Sequence, residues 1–285
     1  MPTQIELLKK YALPVRGISG QHLLIDPNTQ RKIVDLVDPK PGEKILEIGP
    51  GLGALTEELL ARGAHVVAVE KDKRFVEILK AEFSNEVKKG QLEIHHADIL
   101  KLDLKKLLKT RHLKVVSNLP YYITAPILFH LFSEHSLFSK AILMMQKEVA
   151  ARLLAFPGSK DYGRLTLATR YWADVEHALD VSPHCFTPKP EVDSTVLTLH
   201  FHPPAQLPKE VDEKFLFDLT GLAFSQRRKT LLHHLAASKK IGLSRAAILH
   251  IFDELGFLPT VRGEELLLKD FLALARALRK DHAEN

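Results

Sequence analysis

The residues Ser117-Asn118-Leu119-Pro120-Tyr121-Tyr122 close the apolar run LKVVSNLPYYITAPILFHL, placing an amide, a proline and two aromatics where a buried strand should end. These types suit the activation of a weakly nucleophilic amino group. The lone pair of an adenine amino nitrogen is delocalised into the ring, so a carboxylate base would help it little. Two acceptors help more. With the Asn118 side-chain oxygen and the Leu119 carbonyl each taking one amino hydrogen, the nitrogen is drawn towards tetrahedral geometry, its lone pair aimed at an electrophilic methyl. Pro120 stiffens the turn and brings no N–H to compete. Tyr121 offers a flat face for a base, worth roughly 1–3 kcal/mol per base in single-strand sites. An ordinary strand end with a buried Tyr is the plainer alternative.

A second constellation lies upstream in LEIGPGLGALTEELL. Gly49, Gly51 and Gly53 fall where a strand turns into a helix, and side chains there would block the approach of an adenosine or amino-acid moiety to the backbone. Glu70 ends HVVAVE, 19 positions beyond Gly51, where a carboxylate can accept both hydroxyls of a ribose. Asp98, in HHADIL, is read as ending the third strand and holding an adenine edge. Glu47, Gly49, Glu70 and Asp98 thus fall at or near the ends of consecutive strands, where open α/β sheets bind ligands. The spacing is Gly-x-Gly-x-Gly rather than the dinucleotide Gly-x-Gly-x-x-Gly, so a phosphate-free nucleoside such as S-adenosylmethionine fits better than NAD. A tight turn without a ligand is the competing reading.

The elements that must position these residues alternate along the chain. KILEIG (44–49), HVVAVE (65–70), LEIHHAD (92–98), LKVVSNLP (113–120) and KAILMMQ (140–146) are short, rich in Val, Ile and Leu, and separated by helix-length patterns, the signature of a parallel sheet covered on both faces. Asp26-Pro27 suits a helix start and Gly63 a helix end. VEHALDVS and STVLTLHF, which follow a helix-like segment near 165–172, suit an antiparallel edge. Pro203, Pro204 and Pro208 punctuate a linker, after which the pattern is helical. The predicted domains are 1–203 and 204–285.

With 285 residues, 45% hydrophobic, the chain can bury a large core. No stretch approaches the roughly 20 apolar residues of a membrane helix, and the N-terminus lacks an apolar signal core, so a cytoplasmic protein with no membrane partner is expected. One cysteine, Cys185, excludes an intrachain disulfide, and the pairs His95-His96 and His233-His234 lack ligand spacing, so no metal is expected.

Charge is informative by place. From Leu219 to Phe252 there is no Asp or Glu, whereas Arg227, Arg228, Lys229, Lys239, Lys240 and Arg245 all fall inside. FSQRRKTLLHHL is read as a helix packing Phe224, Leu231, Leu232 and Leu235 inward with Arg227, Arg228 and Lys229 outward. A solvated helix face is the bland explanation and a polyanionic partner the better one.

EIGPGLGALT, SNLPYYITAPILFHL, MQKEVAARL, YGRLT and FTPKPEVDST together resemble the small-subunit ribosomal RNA adenine-N6,N6-dimethyltransferase family of the kasugamycin-resistance type, over nearly the whole chain. The resemblance implies a Rossmann-like class I S-adenosylmethionine-dependent methyltransferase fold with a mostly parallel sheet, followed by a small all-helical domain that contacts RNA. It implies dimethylation of two adjacent adenosines near the 3′ end of small-subunit RNA, within a pre-ribosomal small subunit, by a monomer. Cofactor contacts carry over to His22, Leu24, Gly49, Glu70, Asp98 and Asn118. The catalytic set becomes Asn118, Leu119, Pro120, Tyr121 and Phe186, the last matching an aromatic that faces Tyr121 across the target base. The chain departs from the family at Ser19 and Leu23, where Phe is common. A macrolide-resistance-type enzyme acting on large-subunit RNA, a DNA adenine methyltransferase and an assembly factor acting mainly by binding remain the alternatives.

Overall fold

The computed structural model describes residues 2–13, 22–209, 211–226 and 228–284, with the side chains beyond 279 left aside. Its main sheet has seven strands in the order β4-β3-β2-β5-β6-β9-β7. These are β2 (Lys44–Ile48), β3 (His65–Glu70), β4 (Leu92–His96), β5 (Leu113–Asn118), β6 (Phe138–Gln146), β7 (Ala173–Val181) and β9 (Ser194–Phe201). The first five are mutually parallel, and β9 runs antiparallel between β6 and β7. A two-stranded antiparallel ribbon pairs β1 (Leu23–Leu24) with β8 (Phe186–Thr187). The sheet is the mostly parallel α/β architecture expected from the sequence, and β9 and β7 pair antiparallel at its edge.

Central strands read as continuous apolar runs because both faces are covered: in β3 every residue after His65 is buried. Helix α2 (Pro27–Val37) starts as anticipated, with the Asp26 carboxylate accepting the Thr29 N–H at 2.7 Å and Pro27 in the first turn. It buries Ile33, Val34 and Val37. Helix α3 (Ala54–Ala61) ends as Gly63 takes φ +80° and donates to Leu60. Helix α4 (Lys73–Glu82) is capped by Asp72 and buries Phe75, Ile78 and Leu79.

The structure departs from the sequence pattern in two places. Strand β4 stops at His96, and Asp98 lies beyond it, where its carboxylate caps the 99–101 turn by accepting from the Leu100 N–H at 3.1 Å. FSQRRKTLLHHL is not one helix. Helix α10 (Glu213–Ala223) ends before it, and helix α11 (Leu231–Ala237) begins only after Thr230, whose hydroxyl accepts the His233 N–H. Arg228 and Lys229 therefore lie, exposed, in the intervening turn, and Arg227 is outside the described residues. Buried His234 pins that turn, with Nε2 3.1 Å from the Gln226 carbonyl.

Contacts divide the chain into two compact units, Met1–Ala150 with Ala173–Pro204, and Ala151–Trp172 with Ala205–Asn285. The helical unit is thus discontinuous, and the boundary read from sequence misses its first segment. Aromatic packing accounts for this: Trp172, at the end of α9 (Arg164–Trp172), stacks on Phe217 of α10 at 6.1 Å, and Tyr162 donates to the Leu266 carbonyl at 2.7 Å. Among the described residues no helix is long and apolar enough to cross a membrane.

Gly53 precedes α3 with φ +85°, and a Cβ there would stand 2.5 Å from the Phe83 ring. Left-handed backbone costs an L residue about 1–2 kcal/mol and overpacking about 1–3 kcal/mol. Gly53→Ala is expected to lower unfolding free energy by about 2–4 kcal/mol in urea titrations; an unchanged midpoint would disprove the close packing.

Candidate active site

The order β4-β3-β2-β5 makes the chain reverse its direction of progress between β2 and β5, and ligands of open α/β sheets bind at such a switch point. A cavity of about 600 Å³ opens there, lined by residues at and beyond the carboxyl ends of all four strands. Ser117 ties two of those ends together by donating to the Ile48 carbonyl at 2.6 Å.

The floor is built around Glu70, which is 3% exposed. Its two oxygens accept the Gly51 N–H at 3.1 Å and the Asp72 N–H at 2.8 Å. Burial pushes the carboxyl up, against the pull of those N–H groups. Gly49 lines the cavity with φ +66°, and a Cβ on it would meet no protein atom within 4 Å, so the glycine leaves room beside the backbone. Asp98 lines the far side, bonded to Lys71 at 2.9 Å, and that ammonium holds its carboxyl below the usual range.

The opposite wall is the turn after β5. Asn118 Nδ2 donates to the His22 carbonyl at 2.9 Å, which fixes the amide and leaves Oδ1 as its acceptor. The Leu119 N–H donates to Met144 at 2.9 Å, while among the described residues no donor reaches the Leu119 carbonyl. Pro120 O holds Ile123 N and Thr124 Oγ1, making the turn rigid. Tyr121 bonds the Ser194 hydroxyl at 2.6 Å, and burial pushes its phenol up. The His22 ring lies 5.2 Å from that of Tyr121, held by Nδ1 donating to Pro188 at 2.7 Å.

His22, Gly49, Glu70, Asp98, Asn118, Leu119, Pro120 and Tyr121 thus share one cavity. Two expected members do not line it. Phe186 is 3% exposed within the core cluster that contains Leu24, Ile33 and Val181, because β8 pairs it with Leu24. The ring against Tyr121 is that of His22. Leu24 points into the same core, its carbonyl taken by Gln30 at 2.9 Å, and Leu23 borders the cavity instead. Arg228 and Lys229 belong to the other unit. Sequence reasoning missed Lys71, Asp72 and Tyr122, each within two positions of a residue it chose, and Ser194, which nothing local connects to Tyr121.

This donor set suits S-adenosylmethionine. Glu70, Asp72 and Asp98 line the cavity, and Glu47, within the field of Glu70, lies buried behind it. Lys71 is engaged by Asp98, and Lys73 lies 3.8 Å from Glu77. Carboxylates at this density repel a pyrophosphate and favour a cationic nucleoside.

Glu47 is 1% exposed, its Oε2 accepting the Thr56 hydroxyl at 2.6 Å, and burial raises its pKa to about 7. A pKa above the unfolded value means the folded state binds more protons, so Glu47 stabilises fully at low pH and less as pH rises from about 4.5 to about 7. Relative to wild type, Glu47→Gln is expected to gain on the order of 3 kcal/mol between pH 4.5 and 7.5, by urea unfolding at both pH values. A pH-independent difference would mean that the carboxyl titrates normally.

Residues 15–251 match the family model described as "Ribosomal RNA adenine dimethylase". Among curated proteins, the ribosomal RNA small subunit methyltransferase A of Lachnoclostridium phytofermentans is 41% identical, covering 95% of this chain and 94% of the relative. That of Geobacter metallireducens is 42% identical over 92% and 95%. A dimethyladenosine transferase from Plasmodium falciparum superposes with a TM-score of 0.78 at 27% identity, covering 92% of this chain and 98% of that one. A 23S rRNA methyltransferase shares the fold, with a TM-score of 0.65 at 24% identity over 90% and 99%. With four-fifths of its length inside the family model and relatives matched nearly end to end, the chain belongs to the ribosomal RNA adenine dimethylase family.

Proposed function

We propose that the chain dimethylates N6 of two adjacent adenosines near the 3′ end of small-subunit ribosomal RNA, using S-adenosylmethionine and acting as a cytoplasmic monomer on a pre-ribosomal small subunit. The observation that carries this is the pair of acceptors on one rigid turn, Asn118 Oδ1 oriented by His22 and the Leu119 carbonyl, to which none of the described residues donates. The small-subunit substrate is favoured over the large-subunit one because relatives about 40% identical are named for the small subunit, while the 23S enzyme is similar in fold.

When bound, S-adenosylmethionine supplies a methyl group made electrophilic by the adjacent sulfonium. Glu70 would hold its ribose hydroxyls, Gly49 would admit it against the backbone, and Asp98 would accept its adenine amino group. Asn118 and Leu119 would each accept one hydrogen of the target amino group, localising the lone pair on nitrogen. Tyr121 would support the base on the face that His22 leaves open. After one transfer a single N–H remains, so one acceptor must release its donor before the second.

The helical unit carries 17 Lys and Arg against 12 Asp and Glu, while the rest of the chain has 23 of each, so the whole positive excess resides there. That excess suits phosphate binding, with Arg227, Arg228 and Lys229 as the proposed contacts and the target nucleotide unstacked at a cost of a few kcal/mol.

Incubation with labelled S-adenosylmethionine and unmethylated small subunits, naked RNA or large subunits, followed by nucleoside analysis, tests the reading. Wild type is expected to produce N6,N6-dimethyladenosine in small subunits, and Asn118→Ala to lose about 100- to 1000-fold in rate. Label confined to large subunits, or full activity without Asn118, would refute it. Replacing Arg228 and Lys229 by Gln is expected to weaken subunit binding and reduce the slope of log K against log salt by roughly 0.7–0.9 per lost contact, with cofactor affinity unchanged. An unchanged slope would make these charges a solvated turn.

A further inference from the structure

Immediately outside the cavity the chain presents an apolar ridge that the chemistry described so far does not use. Helix α7 (Thr124–Ser133) follows the Asn118–Tyr121 turn and buries Thr124, Ile127, Leu128, Leu131 and Phe132. Its other side exposes Pro126 and Phe129, the latter 41% exposed although its edge meets Phe132 at 6.3 Å. Tyr122 precedes it in the tight turn Tyr121–Ile123, lines the cavity, and is 56% exposed. The ion pair of Lys71 with Asp98, at 2.9 Å, lines the same cavity. Large apolar side chains left in water beside a catalytic pocket call for an occupant.

We propose that Tyr122 and Phe129 form a stacking platform for the nucleotide next to the one held at Asn118. This rests on the reading that an RNA adenosine enters the cavity. An unstacked target leaves its neighbour with one bare face, and covalent continuity carries that neighbour across the cavity mouth. Aromatic rings replace the lost stacking. The platform places one adenosine outside the pocket while its neighbour reacts, which makes it a determinant of where on the strand methylation occurs.

The test is a cycle of enzyme and substrate changes. Small subunits are reconstituted around transcribed RNA with adenosine or uridine beside one target adenosine, and kcat/KM is read as N6 methylation of that target. On the adenosine substrate, Tyr122→Ala and Phe129→Ala are each expected to lose about 5- to 150-fold. Tyr122→Phe, which keeps the ring, should lose less than Tyr122→Ala, and Phe129→Ala should keep wild-type S-adenosylmethionine affinity. On the uridine substrate, which stacks less, the losses should shrink. Equal losses on both substrates would mean that the ridge docks something else, such as a ribosomal protein, and would overturn the proposal. So would unchanged kcat/KM in both alanine variants, or a loss matched by lost cofactor affinity. Failure of the underlying reading is distinct, since wild type itself would then leave the adenosine substrate unmethylated.

Discussion

A buried carboxylate that must stay satisfied organises the active site. Glu70 takes one N–H from the glycine loop after β2 and one from the segment after β3, so it holds the ends of two neighbouring strands at fixed spacing. Removing such a group would leave two N–H donors unmatched at the cavity floor, and unmatched buried donors cost about 1–3 kcal/mol each. The same burial makes its negative charge expensive, and Glu47 behind it adds to the expense. A ligand that donates hydroxyl protons and carries positive charge relieves both. Cofactor preference is therefore contained in the electrostatics of the fold itself.

The reactive turn depends on a different element. Asn118 lines the cavity with its amide oriented by one Nδ2–H bond to the His22 carbonyl, and His22 is in turn held by Pro188 and packed against Tyr121. Three distant segments, near residues 22, 118 and 188, thus set one acceptor. The first helix, α1 (Gln4–Lys10), joins this arrangement through Leu7 and Leu8, which pack with Leu52 and Phe75 and, at the edge of that cluster, with Leu23. Phe75 and Leu23 line the cavity, so N-terminal packing is felt at the site.

Much of this was legible in the sequence because the informative features are local. Val-rich strands buried on both faces, the Asp26-Pro27 start and the glycine loop announce themselves within a few residues. Reading failed where long-range contact decides. Phe186 sits in a Pro-rich loop whose appearance is that of a pocket wall, yet pairing with Leu24 turns it into the core. The segment 151–172 belongs with the terminal helices through Trp172 and Phe217, residues that nothing nearby connects. At Thr230 the signal was present, a capping hydroxyl before LLHHL, but the preceding basic run masked it as continued helix.

The position of β9 bears on how the chain is made. Among the described residues it is the last strand in sequence, yet it lies between β6 and β7, and β7 has no other partner there. A ribosome that has not yet delivered Ser194 therefore holds a nascent chain with β6 open along one side and β7 unpaired, both edges able to recruit foreign strands. Pairing across this gap must also span the helical residues 151–172, whose own partners emerge later still. Eight residues, Ser194–Phe201, thus close the sheet late and from within, and the interval before their release is when the nascent chain is most vulnerable to aggregation.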